Sequence, residues 1–356
     1  MSSRLSNHVA ATVLAAIAIA LMAIVGLDVV AAVIDQIGDI KANYRFVDTL
    51  VYVATKLPST LYEYIPVSAL IGCLVGLGVL ATNSEVIVMR ASGVSLLRIL
   101  IYVLRPVSVF IFIAVLIGEY FSPYLDQLAE SRRDYLRKGE SALDMTTGFW
   151  TREGNEYIHS NAVFPGGVLF GVTRYQFDSN RQLSETSFSS RATYNSAENY
   201  WVEENVSSTV FLAGATQTKK HITRRWVTEL TPEVLTLNIL SPDSLSVQTL
   251  YNYIGFLESR NSDTASYRLA FWNKLLQPLA IIGLVLVGIS FIFGPLREAT
   301  MGFRIFVGVL FGISFQLIQD ILGPLSIVFE FSPLIAVLAP IAACYGLGLY
   351  LLKRSG

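Results

Sequence analysis

Charge is scarce in this chain. Only 15% of its 356 residues are Asp, Glu, Lys or Arg, and the 26 basic and 27 acidic side chains nearly cancel. With 53% hydrophobic residues, that scarcity excludes an ordinary soluble domain of this length. The balance excludes a nucleic-acid binder too, because a phosphate backbone selects a basic face. Cysteine is almost missing. Cys73 and Cys344 both sit inside apolar runs, where a thiol packs as a small hydrophobe, so neither a disulfide nor a thiolate metal site is expected. His8, His159 and His221 are far apart and have no carboxylate or cysteine companions at ligand spacing, which argues against zinc and haem. There is no GxxxxGK[ST] string and hence no P-loop for ATP hydrolysis. No serine–histidine or paired-aspartate constellation crosses the apolar runs, which disfavours an intramembrane protease.

What the chain has instead is length without charge. Residues 9–34 are apolar apart from Asp28, long enough to cross a bilayer core of about 30 Å and too long for a signal-peptide core. Residues 35–58 are polar and amphipathic and are read as a connector. A second span follows at 64–81, where Gly72, Gly76 and Gly78 suit close helix packing in lipid. A third covers about 99–121 and carries Arg105 and Pro106. Three more lie at 275–293, 303–327 and 331–352, separated by Gly294-Pro295 and Ser332-Pro333. Residues 126–262 have globular polarity. Period-two alternation in GGVLFGVTRYQF, SFSSRATY, YWVEENVSSTVFL and RWVTEL predicts half-buried strands, with turns at 178–180 and 195–199. The expected fold is an α-helical membrane protein with six transmembrane helices and an inserted β domain of sandwich or jellyroll type. Its parts are 1–125 with three spans, 126–262 with the β domain, and 263–356 with three spans.

Short-loop cations give the expected orientation. Arg4, Arg90, Arg98, Arg297, Arg304, Lys353 and Arg354 collect on one side, which marks it as cytoplasmic and places both termini there and the β domain in the periplasm. On that cytoplasmic side, residues 82–98 form a charged island between two spans. Glu85, Arg90 and Arg98 bracket apolar Val86, Ile87, Val88 and Met89, a pattern that suits a buried contact better than a loop merely kept wet.

Five strings together carry a family resemblance: NSEVIVMRASG in the island, GEYFSP closing span three, YRLAFWNKLLQPL entering span four, FIFGPLR leaving it, and DILGPL in span five. In their order, across the whole chain, they resemble the lipopolysaccharide-export permeases of the LptF/LptG family. That resemblance implies a periplasmic β-jellyroll and one permease half of an ATP-binding-cassette exporter in a bacterial inner membrane. It implies pairing with a paralogous permease such as LptF and drive by a cytoplasmic LptB dimer that holds the ATP and Mg; this chain itself is expected to bind no cofactor. It further implies delivery of lipopolysaccharide through LptC to the LptA bridge. Two other readings stay open: the opposite permease of the pair, and a membrane-anchored periplasmic binding module that transports nothing.

The resemblance gives roles to residues. The island becomes a coupling helix near 83–93 seated on the ATPase, with Glu85 and Arg90 as its charged contacts and Ser84, Met89 and Gly93 shaping it. Arg133 is the first choice for capturing lipid A phosphates, with Arg132, Lys41, Arg45 and Lys274 as further cations, because guanidinium suits bidentate phosphate contact. Interfacial snorkelling is the plainer reading of the same cluster. Asp28 and Asp35, seven residues apart on one helical face, are candidates for the cavity or gate together with Gln319, Asp320 and Phe315; Gln316 joins the polar patch in span five. The plainer readings there are a helix-end cap, an interhelical hydrogen-bond cluster and lipid-facing packing.

Overall fold

A computed structural model describes residues 2–38, 40, 44–138, 149–164, 167–212, 214–228, 230–232, 235, 241–259, 263–296 and 299–355. The chain forms two compact units: Met1–Ala31, Leu57–Ser122 and Ser246–Gly356 in one, Ala32–Lys56 and Pro123–Leu245 in the other. Residues 32–56 thus group with the β-bearing unit, and 246–262 with the helical one, where single cuts near 125 and 262 were expected.

The helices are α1 (Ser2–Ile37), α2 (Phe46–Thr82), α3 (Glu85–Ala91), α4 (Leu96–Leu116), a π-helical turn (Ile117–Phe121), α5 (Ser122–Lys138), α6 (Val247–Ser259), α7 (Ala265–Phe293), α8 (Met301–Val328) and α9 (Pro333–Ser355). Among the described residues, six stretches are long and apolar enough to cross a membrane: Arg4–Ile37, Phe46–Thr82, Leu96–Leu136, Ala265–Phe293, Met301–Val328 and Pro333–Arg354. Helix is the form such segments take, because in lipid every backbone polar group must be satisfied within the segment. Three spans run well beyond their apolar cores, one of them α7, which already begins at Ala265. The first half of the expected connector 35–58 is not helical throughout, but from Phe46 onward it is already α2, which continues through Pro58 and Pro66. Span three continues as helix to Lys138, past the point where polar sequence begins.

The helical unit is centred on α2. Ile65, Leu70, Leu74 and Leu77 are fully buried among Val13 and Ile17 of α1 and Ile281, Leu284 and Val285 of α7. A Cβ on Gly72 would stand 2.4 Å from the Ile17 Cα and one on Gly76 3.0 Å from the Val13 Cα, so these glycines let α1 and α2 approach backbone to backbone. The π-helical turn swings Glu119 onto the start of α6, where its carboxylate accepts from the backbone N–H of Val247 at 2.8 Å and of Gln248 at 3.2 Å. A carboxylate there satisfies orphan N–H donors and complements the helix dipole.

In the second unit, β1 (Phe149–Glu153), β2 (Glu156–Phe164), β3 (Val168–Phe177), β4 (Leu183–Asn195), β5 (Tyr200–Leu212) and β6 (Ala215–Trp226) form one antiparallel sheet in chain order. This is the inserted β domain, and its described strands run as a meander. Both expected turns are present: Asp178 Oδ1 accepts from the N–H of Asn180 and Gln182 at 2.8 Å each, and Asn195 Oδ1 accepts from Ala197 N at 3.1 Å. Ile158, Val163, Leu169, Val172, Ala192, Trp201 and Trp226 make the core, and the fully buried Trp201 donates its indole N–H to Leu230 O at 2.8 Å. Beside it the same face carries charge. Glu203, with no exposure, pairs with Arg224 at 2.8 Å and Arg174 at 3.3 Å, while Glu185 and Glu156 hold the other arms of those guanidiniums at 2.9 and 3.2 Å. Burial lowers the affinity of Arg174 for its proton and raises that of Glu156.

Candidate functional site

The island folds into the seven-residue helix α3, and its side chains divide by face. Val86 and Met89, three apart, are buried in the core of the helical unit, whereas Ile87 and Val88 are 57% and 65% exposed and Arg90 is exposed beyond them. The helix is therefore held from below by two apolar anchors and presents an apolar pair flanked by charge. Both ends are closed by backbone geometry. Ser84 enters in the left-handed region (φ 63°) without a side-chain cap. Gly93 leaves at φ 85°, with Gly93 N donating to Arg90 O at 3.0 Å and Val94 N to Met89 O at 3.1 Å, a pattern that needs a left-handed residue after the helix and so favours glycine. At the first turn, Glu85 Oε2 lies 2.9 Å from His8 Nε2 of α1. Both are partly exposed, so the pair is worth under about 1 kcal/mol and orients the carboxylate more than it anchors the helix.

Immediately before the island, the last turn of α2 meets Arg304 of α8. Counted in the sequence as a loop cation, Arg304 is in fact only 3% exposed and donates to Gly78 O at 2.9 Å.

The second set of predicted residues lies in the other unit, where the first turns of α2 face α5. Arg132 pairs with Asp48 at 3.2 Å. Arg133 pairs with Glu130 at 3.6 Å and stacks its guanidinium 5.0 Å from the Tyr52 ring centroid. Glu130 also receives Lys56 Nζ at 2.6 Å and the Tyr52 hydroxyl at 2.9 Å. The cavity lined by Asp48, Tyr52, Arg132 and Arg133 measures about 70 Å³, room for a few waters but not for a sugar phosphate. Here both arginines have carboxylate partners, and Arg133 is the more enclosed. Arg45 is exposed, with its backbone N–H on Asp48. Lys41 lies outside the described residues. Lys274, on α7 in the helical unit, stands 5.6 Å from the Tyr62 ring centroid.

Asp28 accepts from the Tyr64 hydroxyl at 2.9 Å, which names the partner that a carboxylate within a span requires. Asp35 is exposed on the last turn of α1. In α8, Phe315 is buried, Gln319 half-buried and Asp320 exposed; Gln316 donates to Glu63 Oε1 at 3.2 Å. Of the partners that sequence reasoning missed, His8, Tyr64, Glu63 and Asp48 are single polar residues far along the chain from the residues they serve, and Glu130 lies one helical turn before Arg133. The one available signal was a polar side chain on an otherwise apolar helix, as at Tyr64.

Comparison with known proteins adds the family. The profile described as "Lipopolysaccharide export system permease LptF/LptG" matches residues 7–354. The chain is 32% identical to the lipopolysaccharide export system permease protein LptG of Escherichia coli strain K12, over 98% of both chains. It is 30% identical to the protein of that name from Haemophilus influenzae, over 96% of this chain and 95% of the other. With six apolar helices among its described residues and an inserted β domain, and matched over almost its whole length, the chain is a transporter's membrane subunit and belongs to the lipopolysaccharide export system permease LptF/LptG family.

Proposed function

We propose that this chain is the LptG-type half of an exporter that draws lipopolysaccharide from the outer leaflet of a bacterial inner membrane. It pairs with an LptF-type permease, is driven by an LptB dimer that holds ATP and Mg, and hands substrate by way of LptC toward the LptA bridge. Both termini and α3 face the cytoplasm, and the β domain faces the periplasm. The observation that carries this reading is the two-faced α3: Val86 and Met89 bind it to the helical core, and Ile87, Val88 and Arg90 are left for a partner. A helix built this way receives motion from outside and passes it inward. Glu85 and Arg90 supply the charged contacts, Ser84 and Gly93 fix the ends. Full-length identity to the two LptG proteins favours the LptG-type half over the other permease.

Arg133 with Arg132 is the proposed capture point for lipid A phosphates, with Lys41, Arg45 and Lys274 as secondary cations. Capture requires a phosphate to take the guanidinium from Glu130 and Asp48. Asp28, Asp35, Gln319, Asp320 and Phe315 remain proposed cavity or gate residues.

The test is co-purification. Glu85→Lys is expected to reduce the amount of ATPase retained on the permease pair while leaving the pair itself intact. Full retention and full viability would sink the coupling role.

A further inference from the structure

Arg304 is buried where no loop cation belongs. It lies in the first turn of α8, and its guanidinium joins three elements of the helical unit. Nη1 donates to Gly78 O at 2.9 Å and to Thr82 Oγ1 at 3.4 Å in the last turn of α2, and Nε donates to Leu296 O at 3.3 Å in the turn that closes α7. The Thr82 hydroxyl is itself donated to Gly78 O at 2.9 Å. Gly78 is fitted to this contact, since a Cβ there would stand 3.0 Å from Nη1 and 3.3 Å from the Arg304 Cδ. Helix C-terminal ends are short of donors and carry the negative end of the dipole, so a cation there is electrostatically matched. Only a planar fork reaches both carbonyl sites at once, because lysine offers one nitrogen where arginine offers several in fixed geometry.

The position gives this contact its meaning. Thr82 is the last residue of α2, and α3 begins three residues later at Glu85. A displacement of α3 reaches the end of α2 first, and Arg304 stands between that end and α8. Along α8, Phe315 and Gln316 lie about 17 and about 18 Å from Arg304 at the helical rise. Gln316 there holds Glu63 at 3.2 Å, back on α2.

We propose that Arg304 is a positioning residue for coupling, a buried pin that makes the island end of α2 and the start of α8 move together. This rests on the island being the point where the ATPase acts.

The test uses the complete permease–ATPase complex in proteoliposomes, with ATP hydrolysed and lipopolysaccharide delivered measured on the same sample. Arg304→Gln is expected to assemble and to hydrolyse ATP near the wild-type rate, while lipopolysaccharide delivered per ATP falls roughly fivefold or more, the lower range of coupling between linked sites. Arg304→Lys, which keeps the charge and one bond, is expected in between. Wild-type delivery per ATP in Arg304→Gln overturns the proposal. So does a parallel loss of complex, hydrolysis and delivery in both variants, since that is what a merely structural residue gives. If Arg304→Gln fails to assemble, Arg304→Lys decides: reduced delivery per ATP at unchanged complex yield supports the pin, and wild-type delivery per ATP overturns it. Glu85→Ala is measured alongside. If it keeps full ATPase retention and delivery, the island reading falls; if it is impaired while Arg304→Gln is not, only the pin falls.

Discussion

Replacing Glu203 by Gln keeps the shape of a fully buried side chain and removes the charge that two arginines share. In the native sheet Glu203 sits 2.8 Å from Arg224 and 3.3 Å from Arg174, and it also accepts from Ser189 Oγ at 3.4 Å. Breaking a buried ion pair from one side typically costs about 3–5 kcal/mol, because the remaining charge stays buried without compensation. Here the loss is smaller. Glu185 and Glu156 still hold Arg224 and Arg174, and the amide oxygen of Gln still accepts one bond, so we expect about 2–3 kcal/mol. At 1.36 kcal/mol per factor of ten, this corresponds to roughly 30- to 150-fold faster amide exchange wherever exchange proceeds through opening of the sheet. The assay is hydrogen–deuterium exchange on the intact protein, reading peptides from β4 and β5, with α7 as internal control. Unchanged protection in β4 and β5 would refute the claim that this network holds the β domain together.

Three further outcomes follow from the same contacts. Gly72→Val drives a branched side chain into the Ile17 backbone, and since α1 has to move away we expect a loss of about 1–3 kcal/mol, read as a lower melting temperature of the purified complex; unchanged melting would mean that α1 and α2 are not closely packed there. Glu156 has its carboxyl raised above the ordinary 4.5, first by burial and then by Glu153 and Glu203, against the pull of Arg174. The folded state thus holds this proton more tightly than the unfolded one, and stability is lost as pH rises from 4.5 through the raised value. Glu156→Gln should therefore raise the β-domain melting midpoint at neutral pH and leave it unchanged below 4.5, followed by the fluorescence of Trp150, Trp201 and Trp226. Arg133→Glu should lower photocrosslinking of lipopolysaccharide without dissociating the complex; equal crosslinking returns Arg133 to a structural pair with Glu130.

Legibility tracked how local the physics was. The apolar cores of all six spans were readable from the length of their uncharged runs, and the strands β3, β4 and β5 from the period of two that half-burial writes into them. The start of α2 was not. Residues 46–58 mix Asp48, Lys56 and Pro58 with apolar positions and resemble a connector, yet they are helical, and Lys56 is carried there by Glu130 and Tyr52. Strand β6 (ATQTKKHITRRW) was missed because both its faces are largely exposed, so no alternation marks it; only its last residues, Arg225 and Trp226, fell in a recognised run. In the candidate site, the island's position and its apolar–charged composition were legible; nearby, Gly72 and Gly76 are points of close backbone approach as read, whereas at Gly78 the close neighbour is the Arg304 side chain. Which island residues face inward was not, since Val86 and Ile87 are equally apolar and only the rotation of α3 separates them. The pairings His8–Glu85, Tyr64–Asp28 and Arg304–Gly78 depend on how whole helices cross, and a single sequence carries no record of that.

The central claim is that the exposed face of α3 carries force from an ATPase that this chain does not contain. A photoreactive amino acid at Val88, 65% exposed, in the assembled complex tests it most directly, with Phe112, 63% exposed on span three, as control. The account predicts a covalent adduct with the ATPase from position 88 and none from 112. Equal labelling of the ATPase from both positions, or an adduct of position 88 with lipid alone, would contradict it.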